Sequence, residues 1–391
     1  MQNQSNNLSF HLWMPEIFKF KGGIQVYSLF FLQALKNIYP NAKYDVFLKN
    51  DIQPLPNLSS LNSTQLHCTG FVPLPLRTLI FAIKLIFTGL WKKPSLVIAC
   101  HINFIVGAYW LKRILGIPYW VITYGIEAWG IQSTHVNQYL HHADRILSIS
   151  SYTRDRLIKE QNLDPNKVFL LPCQFDPNNF KPTSKPLYLL NRYGLEAKQK
   201  VILTVARLSE VEQYKGYDQV LKAMPQIREL IPDVHYIIVG KGNDKSRIEE
   251  LIIQLKLQDC VTLAGFIPDS ELCDYYNLCD IFAMPSKMEG FGIVYLEALA
   301  CGKPVLGGNQ DGSIDALDHG KLGALVNPDD VKEIADSIIQ ILQGKYPNKL
   351  IYQPEYLRQE VINLFGFDRF QETLKKYMEE NFKQKLHIYK F

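Results

Sequence analysis

Short apolar runs recur along the chain at intervals that suit buried strands, each followed by a longer stretch with helical spacing. In the first half the runs fall at 8–14, 44–48, 66–69, 96–100, 119–123, 145–149 and 168–171. They are short, rich in β-branched and aromatic residues, and bounded by turn formers, which reads as strand. An apolar helix is expected at 24–39, directly behind Gly22 and Gly23. Such alternation predicts a parallel α/β sheet. Pro172, Pro177, Pro182 and Pro186 then crowd together with Asn178, Asn179 and Ser184, the composition of a linker or domain boundary. Beyond them the pattern restarts. Strands are expected at 201–206, 235–239, 261–264, 281–284, 304–306 and 322–326, and helices at 216–230, 245–255, 269–278, 293–300 and 329–342. Two last helical stretches, 354–364 and 370–381, lie either side of Gly366. The expectation is an α/β protein of two Rossmann-like, doubly wound parallel-sheet domains facing across a cleft, over residues 1–180 and 181–367.

Composition agrees with that picture. A chain of 391 residues has room for about two cores, and 47% hydrophobic with 20% charged residues is globular rather than disordered. The seven cysteines contain no Cys-x-x-Cys pair and sit mostly in apolar runs, which predicts reduced thiols in a cytoplasmic protein rather than a disulfide frame or zinc site. The opening residues have neither a basic region nor a long apolar core, so no signal peptide is expected. Residues 1–180 hold 16 Lys plus Arg against 9 Asp plus Glu, a net of +7, while the remainder holds 26 against 29, a net of −3. A basic first half calls for an anionic partner, a membrane surface or a phosphorylated acceptor. No motif or basic run points to nucleic acid. The apolar segment 74–91 is interrupted by Arg77 and Lys84 and makes a poor membrane span; it reads as a helix between two strands, with an interfacial position as the alternative.

The chemistry gathers on loops after strands, where ligands bind in such sheets. Segment 285–298 places Glu289 in a glycine-flanked loop and Glu297 inside the helix that follows. Two carboxylates so placed can accept hydrogen bonds from two polyols of one ligand, as a nucleotide sugar offers; a helix cap and a solvated helix residue are the plainer reading of each alone. The loop Ala206-Arg207-Leu208, with Tyr214-Lys215-Gly216 beyond it, can embrace a diphosphate between two cations; seen alone, the two also read as solvated cations. Residues 239–243 hold Gly240 and Gly242 but lack the third glycine of a dinucleotide fingerprint, so a nicotinamide cofactor is not expected. In the first half, Lys19-Phe20-Lys21-Gly22-Gly23 precedes a helix start, suited to close backbone approach and negative charge. Asn309-Gln310-Asp311-Gly312 reads as a polar turn after a strand, either a plain turn or one near the donor.

Residues 201 to about 330 closely resemble the nucleotide-sugar-binding half of retaining glycosyltransferases of family 4, which have the GT-B architecture. The resemblance runs through Ala206-Arg207-Leu208, Tyr214-Lys215-Gly216, Val239-Gly240-Lys241-Gly242, Gly265-Phe266-Ile267-Pro268-Asp269, the pair Glu289 and Glu297 with seven residues between, and Cys301-Gly302-Lys303-Pro304. The first half matches more loosely, through Gly22-Gly23 and Thr123-Tyr124-Gly125-Ile126-Glu127. The resemblance implies that Arg207 and Lys215 bind the donor diphosphate, that Glu297 holds the ribose, and that Glu289 contacts the donor sugar beside the backbone of Gly290, Phe291, Gly292 and Ile293. It implies that Phe266 and Ile267 flank the base, that Gly240 lies at the donor, and that Gly22 and Gly23 approach phosphate or acceptor. A last helix, about 368–391, would pack back onto the first domain. No metal and no cofactor are implied; a UDP- or GDP-sugar would be the substrate, a saccharide or lipid-linked molecule its acceptor, and polysaccharide or glycolipid assembly the setting. The basic first half and segment 74–91 fit a lipid-linked acceptor at the cytoplasmic membrane face, with a soluble acceptor as the alternative. One departure stands out: family members often carry His where this chain has Tyr124, a poor base at neutral pH. Tyr124 is kept as a candidate catalytic residue, and Glu127 and His101 as candidate acceptor contacts. A silent nucleotide-sugar-binding scaffold and a nucleotide-sugar epimerase are the alternatives to transfer.

Overall fold

The computed structural model describes residues 8–18, 22–53 and 64–388, with side chains to residue 382. The chain divides into two compact units, Met1–Cys173 with Phe367–Phe391, and Gln174–Gly366.

In the first unit β1 (Ser9–Met14) leads to α1 (Gly23–Ile38), β2 (Lys43–Leu48), β3 (Thr64–Cys68), α2 (Leu74–Lys92), β4 (Leu96–Ala99) and α3 (Ile105–Leu115). Then follow β5 (Tyr119–Thr123), α4 (Thr134–His141), β6 (Arg145–Ser148), α5 (Ser151–Gln161) and β7 (Val168–Leu170). All pairings are parallel, in the order β3-β2-β1-β4-β5-β6-β7. The strands β4, β5 and β6 are buried at every residue, as a sheet covered on both faces requires.

The second unit repeats the plan: α6 (Leu187–Tyr193), β8 (Val201–Val205), α7 (Tyr217–Leu230), β9 (His235–Val239), α8 (Lys245–Gln254), β10 (Val261–Gly265) and α9 (Asp269–Leu278). After these come β11 (Ile281–Met284), α10 (Ile293–Ala300), β12 (Val305–Gly308), α11 (Ser313–Ala316), β13 (Ala324–Val326), α12 (Val331–Leu342) and α13 (Pro354–Phe365). The strand order is β10-β9-β8-β11-β12-β13, again parallel. Its core runs from Ile202, Tyr236 and Ile281 to Met224 and Ile338 on the helices above.

Every expected strand is present. The proline-rich segment holds one helix that the pattern did not reveal, α6, and it is firmly tied down. Arg358 donates to the carbonyls of Phe180, Ala300 (3.0 Å) and Pro177 (2.9 Å), and Asn277 accepts from the Thr183 amide at 2.8 Å. The last helix, α14 (Phe367–Ile388), starts earlier and ends later than its apolar spacing indicated. It belongs to the first unit, where Phe370 sits edge-on to Tyr27 at 5.5 Å and Tyr377 Oη donates to the Leu170 carbonyl at 2.9 Å. All seven cysteines are free thiols, five of them buried. Both sheets reverse strand order at one point, β1/β4 and β8/β11, and such switch points are where doubly wound sheets bind ligands.

Candidate functional site

In the second unit the switch point carries the charged residues that the sequence singled out. The chain leaves β8 at Ala206 and turns through Arg207 and Leu208; from β11 it enters the loop that holds Glu289. Close backbone approach locks these loops together. A Cβ on Gly240 would stand 1.8 Å from the Ala206 carbonyl, and one on Gly242 1.7 Å from that of Leu208. Gly240 is therefore demanded by packing, reinforced by its φ of +149°. Hydrogen bonds complete the seam, from the Ala206 amide to Val239 (3.0 Å) and from the Leu208 amide to Lys241 (3.1 Å).

Lys215 and Glu289 meet directly in an ion pair, each with less than a fifth of its side chain exposed. Burial alone would lower the Lys215 pKa, but the Glu289 carboxylate outweighs it and holds the ammonium above its ordinary value. A charged lysine at neutral pH is the result. Arg207 lies more open and pairs with Glu212 at 3.0 Å. Glu297, four residues into α10, accepts from the buried Tyr276 hydroxyl at 2.7 Å, so this carboxylate is fixed from beneath rather than loose on a helix. Of the loop between, only backbone is offered: the Phe291 ring is buried against Phe365 at 5.4 Å, and Gly292 adopts φ +91° against the Tyr295 ring. Ile293 opens α10. Phe266 is exposed, with the Lys241 ammonium 4.8 Å from its ring centroid, and Ile267 beside it is half-buried.

Two residues that hold this arrangement carried little signal in the sequence. Asp311, fully buried, accepts from Ser286 Oγ and the Glu289 amide, both at 2.7 Å, and from the Ser313 amide at 3.0 Å and its hydroxyl at 2.5 Å. The turn that reads as plain thus braces the glutamate loop, and Gly312 donates its own amide to the Glu289 carbonyl at 2.8 Å. Burial pushes the Asp311 carboxyl up to about 6, although the hydrogen bonds oppose this. Asp244, also buried, accepts from Tyr217 Oη (2.7 Å), Gln213 (3.4 Å) and Arg247, bracing the segment between Arg207 and Lys215. The detectable trace in each case was an acidic residue beside a glycine-rich turn.

The first-unit candidates are set differently. Gly22 caps α1 with extended backbone and Gly23 is its first residue; Lys19, Phe20 and Lys21 lie outside the described residues. Tyr124 follows β5 and is buried: its hydroxyl is 3.3 Å from Ser28 Oγ, its ring is edge-on to Tyr27, and burial drives its pKa well above the ordinary phenol value. Glu127 accepts from the Tyr124 amide at 2.5 Å, and burial raises its pKa against the pull of backbone donors. His101 accepts from the Asn103 amide through Nδ1 at 3.1 Å, and burial lowers its pKa to about 4. Among the described residues, no group of three or more His, Cys, Asp or Glu side chains gathers as a metal site requires.

A doubly wound unit with paired cations and carboxylates at its switch point has the chemistry that an anionic, hydroxyl-rich ligand requires. Residues 190–355 match the family model for glycosyl transferases group 1. A GDP-mannose-dependent alpha-(1-6)-phosphatidylinositol monomannoside mannosyltransferase of Mycobacterium tuberculosis is 32% identical over 51% of this chain and 52% of its own. The mannosylfructose-phosphate synthase of Agrobacterium fabrum is 26% identical over 50% and 44%. The chain thus spans about half the length of the curated relatives it matches. Among solved structures, the sucrose-phosphate synthase of Thermosynechococcus elongatus superposes with a TM-score of 0.80 over 96% of this chain and all of its own, at 20% identity. HepE of Anabaena with UDP-glucose gives 0.75 over 95% and 99%, at 19%. The whole chain therefore has the fold of these neighbours, the GT-B fold of glycosyltransferases.

Proposed function

We propose that this protein is a retaining, metal-independent glycosyltransferase that moves a sugar from a nucleoside-diphosphate sugar to an acceptor in glycolipid or polysaccharide assembly. The observation that carries the reading is the set Arg207, Lys215, Glu289 and Glu297 on the loops and helix at the β8/β11 switch point. As the bond from the sugar C1 to the phosphate oxygen breaks, negative charge grows on the diphosphate. Arg207 and the protonated Lys215 stabilise it, the role a divalent cation would otherwise fill. The departing phosphate oxygen takes the acceptor proton, so the acceptor attacks from the side the diphosphate leaves and the anomeric configuration is retained. Glu289 orients the sugar hydroxyls and Glu297 the ribose. The second unit holds the donor and the basic first unit the acceptor, at the cytoplasmic face of a membrane. UDP- and GDP-sugars are the donors to test first, since similar proteins are GDP-mannose-dependent or were solved with UDP-glucose.

The test is a transfer assay with these donors and a lipid-linked saccharide acceptor. Arg207→Ala and Lys215→Ala should each lower turnover by about two orders of magnitude, and a chelator should leave it unchanged. Near-wild-type turnover in both variants would remove the proposed roles. The inverted anomer in the product would overturn retention. A donor-binding scaffold is the second reading, motivated by Tyr124 in place of a histidine: it predicts nucleotide-sugar binding with no transfer to any acceptor. An epimerase needs a base, and a buried phenol held far above neutrality does not supply one at Tyr124.

A further inference from the structure

The described surface of the first unit has an unusual feature on α2. This helix already buries one apolar face: Phe81, Leu85, Thr88 and Gly89 point inward, with Phe81 5.3 Å from the Phe104 ring and Gly89 against Leu111 of α3. An ordinary covering helix would be polar on its other side. Here Leu79, Ile83, Phe87 and Trp91 are exposed at 59%, 58%, 67% and 76%, spaced four residues apart so that they form one stripe along the outer face. Leu76, Ile80 and Leu90 widen it. On α3, packed beside it, Val106, Trp110 and Ile114 are exposed at the same four-residue spacing.

We propose that the outward faces of α2 and α3 dock on an anionic phospholipid bilayer, with α2 lying in the interface rather than crossing it. The inference rests on the membrane-facing part of the function proposed above and specifies the surface that would serve it. The charge of the segment selects the occupant. Between Asp51 and Glu127 the chain carries Arg77, Lys84, Lys92, Lys93, Lys112 and Arg113 and not one Asp or Glu; Asp45 answers Lys92 and Asp144 answers Lys112, which leaves Arg77, Lys84, Lys93 and Arg113 as the cations of the surface. Apolar stripes within a purely cationic stretch complement a surface of acyl chains beneath anionic headgroups. A second protein surface of this size would need matching carboxylates, and the segment itself has none to offer a symmetric copy. At 19 residues α2 is long and apolar enough to span a bilayer by length and composition. Its inner face is committed to the core, however, and its last residue, Lys92, is tied to the buried Asp45 on β2 at 2.6 Å. Both hold it on the unit. Trp91 and Trp110 sit on the exposed faces, and tryptophan favours the headgroup level of a membrane.

The experiment is cosedimentation of the full chain with vesicles of phosphatidylglycerol and phosphatidylethanolamine, against phosphatidylcholine alone. The wild type should pellet with the anionic vesicles, and salt should weaken binding. Leu79→Ser, Ile83→Ser, Phe87→Ser and Trp91→Ser combined should cut partitioning at least about tenfold. Lys84→Gln with Arg113→Gln should cut it several-fold on anionic vesicles only. The replaced apolar side chains are already exposed, so the thermal unfolding midpoint should hold, which separates lost docking from lost folding. Brominated lipid should quench Trp91 fluorescence in the wild type. A wild type that stays in the supernatant overturns the proposal. So does equal binding by the fourfold variant, or a soluble dimer that this variant disperses, which would make a second copy the occupant. Thermal stabilisation by UDP-glucose or GDP-mannose, measured on the same proteins, keeps the two readings apart. Its loss with docking intact sinks the enzyme reading alone, and its persistence without docking sinks this one alone.

Discussion

The two units wind their sheets alike and differ in what they set at the switch point. The second unit places full charges there, each already answered: Lys215 by Glu289, Arg207 by Glu212. The first unit places, beside the Glu127 carboxyl, two groups that are neutral near pH 7, a histidine whose pKa has fallen to about 4 and a phenol pushed far above its usual range. A diphosphate needs fixed cations, and Lys215 stays charged despite its burial because the Glu289 carboxylate stands beside it. An acceptor hydroxyl asks for shape and neutral hydrogen bonds. The contrast extends to rigidity, since the loops of the second unit are interlocked by glycines and two buried aspartates, while Gly22 and Gly23 simply begin a helix.

The sharpest way to break this contrast is to loosen the interlock. A Cβ at Gly312 would stand 2.1 Å from the Gly290 carbonyl oxygen, which is backbone and cannot swing aside. Gly312→Ala should cost about 3 kcal/mol. Asp311→Ala should cost a similar amount, because it strands the Ser286 hydroxyl and the Glu289 and Ser313 amides in the interior. Calorimetry should show either variant melting roughly 6–12 °C lower, with weaker stabilisation by a nucleotide sugar. A drop of less than about 2 °C would mean that the Glu289 loop keeps its shape without this brace.

A smaller effect follows from the same carboxyl. The folded pKa of Asp311, about 6, lies above the ordinary 3.8, so the folded protein holds this proton more tightly than the unfolded chain. Its contribution is fully present below about pH 4 and is lost as pH rises through 6, a change of about 3 kcal/mol at most. Denaturant titrations of wild type and Asp311→Asn across pH 4 to 7 isolate it, since other groups cancel in the difference. Wild-type stability should fall relative to the variant over that window. Parallel curves would show that the carboxyl titrates normally.

How much of this could be read in advance follows from where the information lies. Strand runs such as 235–239 and 281–284 are buried on both faces, so periodicity and length alone betray them. Arg207, Lys215, Glu289 and Glu297 stood in glycine-flanked motifs of recognisable spacing. Asp311 and Asp244 did not, because their meaning depends on loops 22 and 31 residues away coming to their carboxylates. Nor could α2 be settled: an apolar stretch with two cations reads the same whether its outer face is covered or bare. The structure shows it bare. Gly240 reads as a ligand glycine and is found pressed against the Ala206 carbonyl, a packing demand that no spacing rule distinguishes from a binding one.

The mildest test addresses the first unit. Tyr124 occupies the position at which similar enzymes often have a histidine, yet its hydroxyl meets Ser28 Oγ at the long distance of 3.3 Å and its ring packs on Tyr27. If the residue serves chiefly to fill that space, Tyr124→Phe keeps the ring, gives up one weak hydrogen bond, and costs no more than about 1 kcal/mol. Turnover should then stay within about threefold of wild type, with KM for the acceptor unchanged. A fall beyond tenfold in kcat with stability intact would place the hydroxyl on a substrate and make the first unit's switch point a polar binding site after all. A rise in acceptor KM alone would assign it to acceptor positioning. Burial holds the Tyr124 phenol well above its ordinary pKa, which makes it a poor base at neutral pH.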